Sequence, residues 1–260
     1  MKHREIISAI EDFAPLAWQE PYDNAGWQVG NPDSKAEAAL LCIDVTEAVI
    51  AEAISKKCNL IICHHPLIFG GLNAVTPQNA TGRCVIQALK NDIAIYAAHT
   101  NLDNVAEGVN AKIAEKIGLQ NGRILQPKTL NGQIGAGWIA ELSETETEEN
   151  FLLRLKKIFH LQMIRHTPLL NKKIKTVALC GGSGSFLLSD AITQNADVFV
   201  SGDFKYHDFF KAENRILTVD IGHFESEQYT KEIFFDIIRK KFPTFALSFS
   251  EEKSNPINYF

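Results

Sequence analysis

His64 and His65 stand side by side at the end of a short apolar run, Leu60-Ile61-Ile62-Cys63, with Pro66 directly after them. Successive side chains of a strand point to opposite faces, so one uninterrupted strand cannot aim both rings at one point. The turn that Pro66 imposes can. Imidazole is the commonest metal-ligating side chain and the usual acid or base near neutral pH. Two further groups have similar character, His99-Thr100-Asn101-Leu102-Asp103 and His223-Phe224-Glu225-Ser226-Glu227. Residues four apart share a face if a helix starts there, so His99 would face with Asp103, and His223 with Glu227. Mixed imidazole and carboxylate donors suit zinc, iron(II) or manganese(II). If two histidines, a third from the other cluster and two carboxylates converge, the five donors exceed the usual four of a structural zinc site. Two ions about 3.5–4 Å apart sharing a carboxylate would account for the surplus and would activate water. A plainer reading stays open: hydrogen-bonded loop histidines, with carboxylates favoured by helix dipoles.

The elements that must position these residues alternate. Ile6, Ile7, Ile10 and Phe13 have helical spacing. A loop rich in Pro, Gly and Asn follows, from Pro21 to Pro32. Leu40 to Val45 reads as a strand and Thr46 as the cap of a helix whose face is Val49, Ile50, Ala53 and Ile54. Leu60 to Cys63 is the next strand. A helix near Arg83 to Leu89, a strand at Ile93 to Ala97 and a helix stopped by Gly118 come after it. In the middle, Gly132 to Ile139 reads as a strand with bulges, and the acidic run Glu141 to Glu149 as a solvated loop with a first helical turn. A helical face at 151–158 leads to strand-like segments at Leu161 to Ile164 and Lys175 to Cys180. This alternation predicts an α/β fold with helices layered on mixed sheets.

An internal repeat organises the alternation. Shifted by 138 residues, Cys42 falls on Cys180, and Asn59-Leu60-Ile61-Ile62 on Asp197-Val198-Phe199-Val200. His64-His65 then falls on Gly202-Asp203. At an offset of 124, Ile93 and Ile95 fall on Leu217 and Val219, His99 on His223, and Asp103 on Glu227. Two similar α/β lobes from a duplication explain this; chance likeness between two α/β units is the alternative. Sites in such sheets form beyond the carboxyl ends of strands, where all of these polar clusters lie. Since His223 and Glu227 must then meet His64 and Asp103, we expect a discontinuous metal-site lobe of residues 1–122 and 216–260, with a second α/β lobe at 123–215. The run Gly181-Gly182-Ser183-Gly184-Ser185 reads as tight chain packing or, alternatively, a phosphate cradle. Trp18 and Trp27 read as loop anchors, with base stacking as the other option.

Composition narrows the function. The 260 residues are 45% hydrophobic, ample for a core, and carry a net charge of -5 without a long basic run. A strong nucleic-acid signal is therefore missing. Five cysteines with no C-x-x-C pair suggest a reducing cytoplasm. No apolar stretch approaches the roughly 20 residues of a membrane span.

His64-His65-Pro66-Leu67-Ile68-Phe69, the segment from Ala98 to Asp103, and Gly222-His223 with Glu227 closely resemble the dinuclear-metal-centre hexameric family. Its members are described as Ngg-one-interacting-factor-three-like, or GTP cyclohydrolase I type 2 homologues. Asp23 to Gly30 and Gly202 to Asp208 resemble two further motifs of that family, so the likeness runs nearly end to end. Some relatives carry a mid-chain inserted domain, for which this chain is too short. The resemblance implies that His64, His65, Asp103, His223 and Glu227 ligate two divalent metal ions. It leaves His99 beside them as a proton carrier or hydrogen-bonding partner, and implies a homohexamer built as a trimer of dimers. Asp203, Lys205 and His207 are possible substrate-contacting or supporting groups, or else polar residues opening a helix. Asp23 and Asn24 are expected to stabilise a turn beside the site.

Two functions compete. The first is a metal-dependent hydrolase of a nucleotide or related heterocycle, with His99 and Glu227 moving protons. The second is a non-catalytic metal-handling or regulatory protein that uses the same ligands.

Overall fold

The computed structural model describes residues 1–129 and 132–260. Helix α1 (His3–Phe13) buries Ile6, Ile7 and Ile10, the residues whose spacing predicts it. Strand β1 (Gly26–Val29) lies inside the Pro21 to Pro32 segment expected as a loop, and β2 (Ala38–Cys42) leads into α2 (Glu47–Ser55). Thr46 caps α2 by accepting the Val49 N–H. Strand β3 (Leu60–Cys63), α3 (Ala80–Lys90), β4 (Ala94–Ala97) and the short α4 (Thr100–Asn104) come next. Helix α5 (Val109–Ile117) stops at Gly118, whose φ of +83° suits glycine. Strands β5 (Gln120–Pro127) and β6 (Gly135–Thr147) precede α6 (Glu148–Ile158) and β7 (Arg165–His166). Then come β8 (Lys173–Ser183), α7 (Leu188–Thr193), β9 (Val198–Gly202) and β10 (Leu217–Asp220). Helices α8 (His223–Glu227) and α9 (Thr230–Lys241) and strand β11 (Ala246–Phe249) complete the chain.

Two compact units result, one Met1–Leu102 with Thr230–Pro256, the other Asp103–Tyr229 with Ile257–Phe260. The first holds a sheet of order β1-β4-β3-β2-β11, parallel except for β1. The second holds the order β5-β6-β8-β9-β10-β7, parallel only through β8-β9-β10. Both sheets are therefore mixed, with helices layered on them. The boundaries differ from the 122/123 and 215/216 expected from sequence. Helix α5 packs on β6 and β8, and β10 hydrogen-bonds between β9 and β7, so residues 103–122 and 216–229 go with the second sheet. His223 and Glu227 thus belong to the second unit and His64 and His65 to the first.

Strand register carries the repeat. Ala39, Leu40 and Leu41 pair with Leu60, Ile61 and Ile62, while Val177, Ala178 and Leu179 pair with Val198, Phe199 and Val200. Both strands keep the 138-residue offset. The third strand corrects the sequence alignment by one residue. Leu60 pairs with Ala94 and Val198 with Leu217, so Leu217 corresponds to Ala94 rather than to Ile93. The offset of 124 applies only from His99 and His223 onward. Gly222 is the extra residue; its φ is +90°, and a Cβ there would collide with the Glu225 carboxylate.

Two mid-chain expectations change as well. The acidic run is strand β6 as far as Thr147, and α6 starts only at Glu148. The Glu148 side chain is buried because its carboxylate accepts the N–H groups of Leu170 and Asn171. Residues 161–164 are not a strand; only Arg165 and His166 pair, with Asp220 and Val219 of β10.

Each unit has its own apolar core, from Leu40, Val49, Ile61, Val85 and Ile95 in the first and Leu125, Ile139, Ala178, Leu187 and Phe199 in the second. Each of the Leu, Ile, Val and Phe side chains contributes roughly 1.5–3 kcal/mol. Cys42, Cys58, Cys63 and Cys84 are buried free thiols. No helix among the described residues is long and apolar enough to cross a membrane.

Candidate metal centre

In the first unit the parallel strands β2, β3 and β4 end at one edge, and the polar residues lie just beyond. Past β3 the His65 N–H still donates to the Ile43 carbonyl at 3.0 Å, then Pro66 turns the chain. This fixes the backbone of both histidines. The fully buried His64 ring has Nδ1 2.9 Å from the Ala98 carbonyl. His65 Nδ1 lies 2.7 Å from Asp44 Oδ1, and His99 Nδ1 lies 2.8 Å from Asp23 Oδ1. A carbonyl or ionised carboxylate only accepts, so Nδ1 carries a hydrogen in all three rings, and in the neutral imidazole the lone pair then lies on Nε2. The centroid of His64 is 4.9 Å from that of His65 and 5.3 Å from that of His99. Each ring brings a nitrogen within 4.8 Å of the other two, an arrangement that could hold a metal ion.

Asp23 does more than stabilise a turn. Burial alone would raise its pKa, but hydrogen bonds from His99 and Thr100 outweigh that and hold it at about 2. It also accepts the Thr100 N–H at 3.0 Å and the Thr100 hydroxyl, which ties the loop to the start of α4. Neighbouring Asn24 donates to the Ile68 carbonyl and so anchors the loop, whereas Trp27 lies on β1 and packs edge-on against Tyr96 of β4. Sequence reading missed Asp44. Taking the strand to Val45 hid a carboxylate that lies beyond the strand end at Cys42.

In the second unit His223 has Nδ1 2.7 Å from Asp203 Oδ2 and Nε2 3.2 Å from Glu227 Oε2, one turn along α8. The i,i+4 spacing read from sequence is thus realised. Burial would lower the His223 pKa, but the two carboxylates raise it to about 11. The hydrogen bond from His223 lowers that of Asp203. Asp103 is also in this unit; its carbonyl accepts from Asn110 Nδ2 at 3.1 Å. Burial raises the pKa of the Cys180 thiol, and the charges of Asp103 and Glu227 raise it further.

The glycine run beside α8 is a packing device. The N–H groups of Gly181, Gly182 and Gly184 donate to Asn110 Oδ1, Ser226 Oγ and Ser201 Oγ. A Cβ on Gly182 would collide with Glu227 Oε1. Amides engaged in this way do not cradle a phosphate.

A family model described as Duf34/NIF3 (NGG1p interacting factor 3) matches residues 1–256. The chain belongs to the Duf34/NIF3 family. It is 37% identical over 230 residues to a "GTP cyclohydrolase 1 type 2 homolog" of Clostridium perfringens, covering 87% of each chain. A Lactococcus lactis protein of the same name is 32% identical, covering 98% of each. Among solved structures, a Staphylococcus aureus protein superposes with a TM-score of 0.92 at 27% identity, covering 100% of this chain and 99% of the other. A Bacillus cereus protein related to NIF3 has the same TM-score at 25% identity and the same coverage.

Other candidate residues of this Duf34/NIF3 chain lie on the turn that follows Asp203. Lys205 opens a 3-10 turn, Tyr206–Ala212, with its N–H donating to Asp208 Oδ2. His207 is exposed on that turn, its ring 5.2 Å from that of Tyr206. A cavity of about 210 Å³ beside His223 is lined by Arg165, Asp203, Asp220 and Tyr259, among others.

Proposed function

We propose that His64, His65, Asp103, His223 and Glu227 hold two divalent ions, zinc, iron or manganese, and that the protein is a metal-dependent hydrolase of a nucleotide or related heterocycle. One observation carries this reading. The three proposed ligand histidines have Nδ1 engaged by an oxygen, His64 by a carbonyl and His65 and His223 by carboxylates. Metal-ligating imidazoles are held in this way, which fixes the tautomer and aims Nε2. Histidines that only fill turns have no need of a dedicated carboxylate. A divalent ion held by these donors supplies Lewis acidity, making water nucleophilic at neutral pH and polarising a substrate bond.

The proton chemistry follows from the same hydrogen bonds. His99 takes a proton at Nε2 while Asp23 stabilises the resulting imidazolium through Nδ1. Glu227 serves both as ligand and as proton carrier. Asp203 orients His223, and Lys205 and His207 on the exposed turn contact the substrate. The names of the curated relatives favour a guanine nucleotide over other heterocycles. The hexamer, a trimer of dimers, and a cytoplasmic location belong to the same proposal.

The test is a turnover screen of nucleotides and phosphoesters with protein loaded with each metal. Turnover lost in His99→Ala while metal is retained is the expected result. Two metals bound with no substrate turned over would assign the chain to metal handling instead.

A further inference from the structure

The segment from Ser250 to Ser254, just beyond β11, has a role that the ligand set does not account for. Strand β11 pairs in parallel with β2, Phe249 opposite Leu41, and the Ser250 N–H extends this ladder to the Leu41 carbonyl at 2.8 Å. Glu52 on α2 then anchors the chain, accepting from Ser250 Oγ at 2.5 Å, the Glu251 N–H at 3.0 Å and Lys56 Nζ at 2.7 Å. Lys231 Nζ adds a bond to the Ser250 carbonyl at 3.1 Å. Held at this end, the segment follows the edge of β2 toward the strand terminus that carries Asp44. There Ser254 Oγ donates to Asp44 Oδ2 at 2.8 Å, while Asp44 Oδ1 accepts from His65 Nδ1 at 2.7 Å.

We propose that Ser254 is a positioning residue for the metal centre, acting through Asp44 on His65. The inference rests on the reading of His65 as a ligand. A carboxylate can swing about its Cβ–Cγ bond; a donor on its second oxygen fixes its plane and so the direction of His65 Nε2. Such outer partners typically change metal affinity about 10–100-fold when removed. The donor comes from a strap with its own anchor, so its geometry does not depend on bound metal.

The test uses the full chain with Ser254→Ala, Asp44→Ala and the double variant, titrated with zinc or manganese alone. Ser254→Ala should weaken the tighter binding step about tenfold, with unchanged thermal unfolding, and Ser254→Thr should restore it. In the Asp44→Ala background, adding Ser254→Ala should change nothing further, since the proposed route runs through Asp44. A second loss there would mean that the strap acts structurally, and would overturn the proposal. Nitrogen-15 spectra of the metal-free protein give an independent readout. The His65 Nδ1–H signal should shift in Ser254→Ala and stay unshifted in Glu5→Gln, a remote control. An unshifted signal with wild-type affinity in Ser254→Ala would also overturn it. If His65→Ala retains full metal binding, the ligand reading itself fails, while the His65 signal still decides whether Ser254 orients the pair.

Discussion

Gly182 and Asp44 occupy equivalent positions in the two repeats, and the exchange between them accounts for the different surroundings of the histidines. In the first copy Asp44 holds the His65 ring. In the second, His65 is replaced by Asp203, which holds His223, and the place of Asp44 is left empty of side chain for Glu227. Gly182→Ala should therefore displace Glu227. Its φ of +60° adds backbone strain of about 1–3 kcal/mol. Denaturant melts should register that cost, and metal titration a weaker site; wild-type values in both would contradict the packing account. At this scale the sequence was legible for chemistry and poor for partners. The residue types and the i,i+4 spacing marked His223 and Glu227, but nothing in the neighbouring residues marks Asp23 as the partner of His99, 76 positions away. Long-range hydrogen bonds leave no periodic trace.

Among the elements, the strands and most helices follow from apolar spacing, because their burial faces are regular. The misread segments are those where tertiary pairing overrides local pattern. An acidic stretch joins β6 because its ladder to β8 resumes beyond a bulge, at Glu146 and Thr147. Gly222 disturbs the repeat by one residue only at the strand-to-helix turn, where an ungapped comparison shifts the strand. The anchor of β11 gives a prediction with a pH dependence. Burial pushes the Glu52 carboxyl up, but bonds from Lys56, Ser250 and Glu251 together bring it below its ordinary 4.5. A depressed carboxylate adds stability that is full above about pH 4.5 and is lost as pH falls through its folded value. Glu52→Gln should destabilise the anchor by about 1–3 kcal/mol near neutrality and flatten this acid dependence. Hydrogen exchange of the β11 amides is the measure; an unchanged acid limb would refute it.

For the whole molecule, the family assignment and the two-sheet α/β class were accessible from ordered motifs along the chain. The division into units was less so, because α5 and β10 are assigned by the sheet they pack on and not by any change in composition. The proposed hexamer predicts about six chain masses by light scattering, independent of moderate dilution; a monomer would remove that part of the proposal. The most direct test of the metal centre is elemental analysis of the purified protein beside its His65→Ala and Glu227→Ala variants. The account predicts about two divalent ions per chain in the wild type and a clear loss in both folded variants. Full metal content in both variants, or no affinity for divalent metal in the wild type, would contradict it.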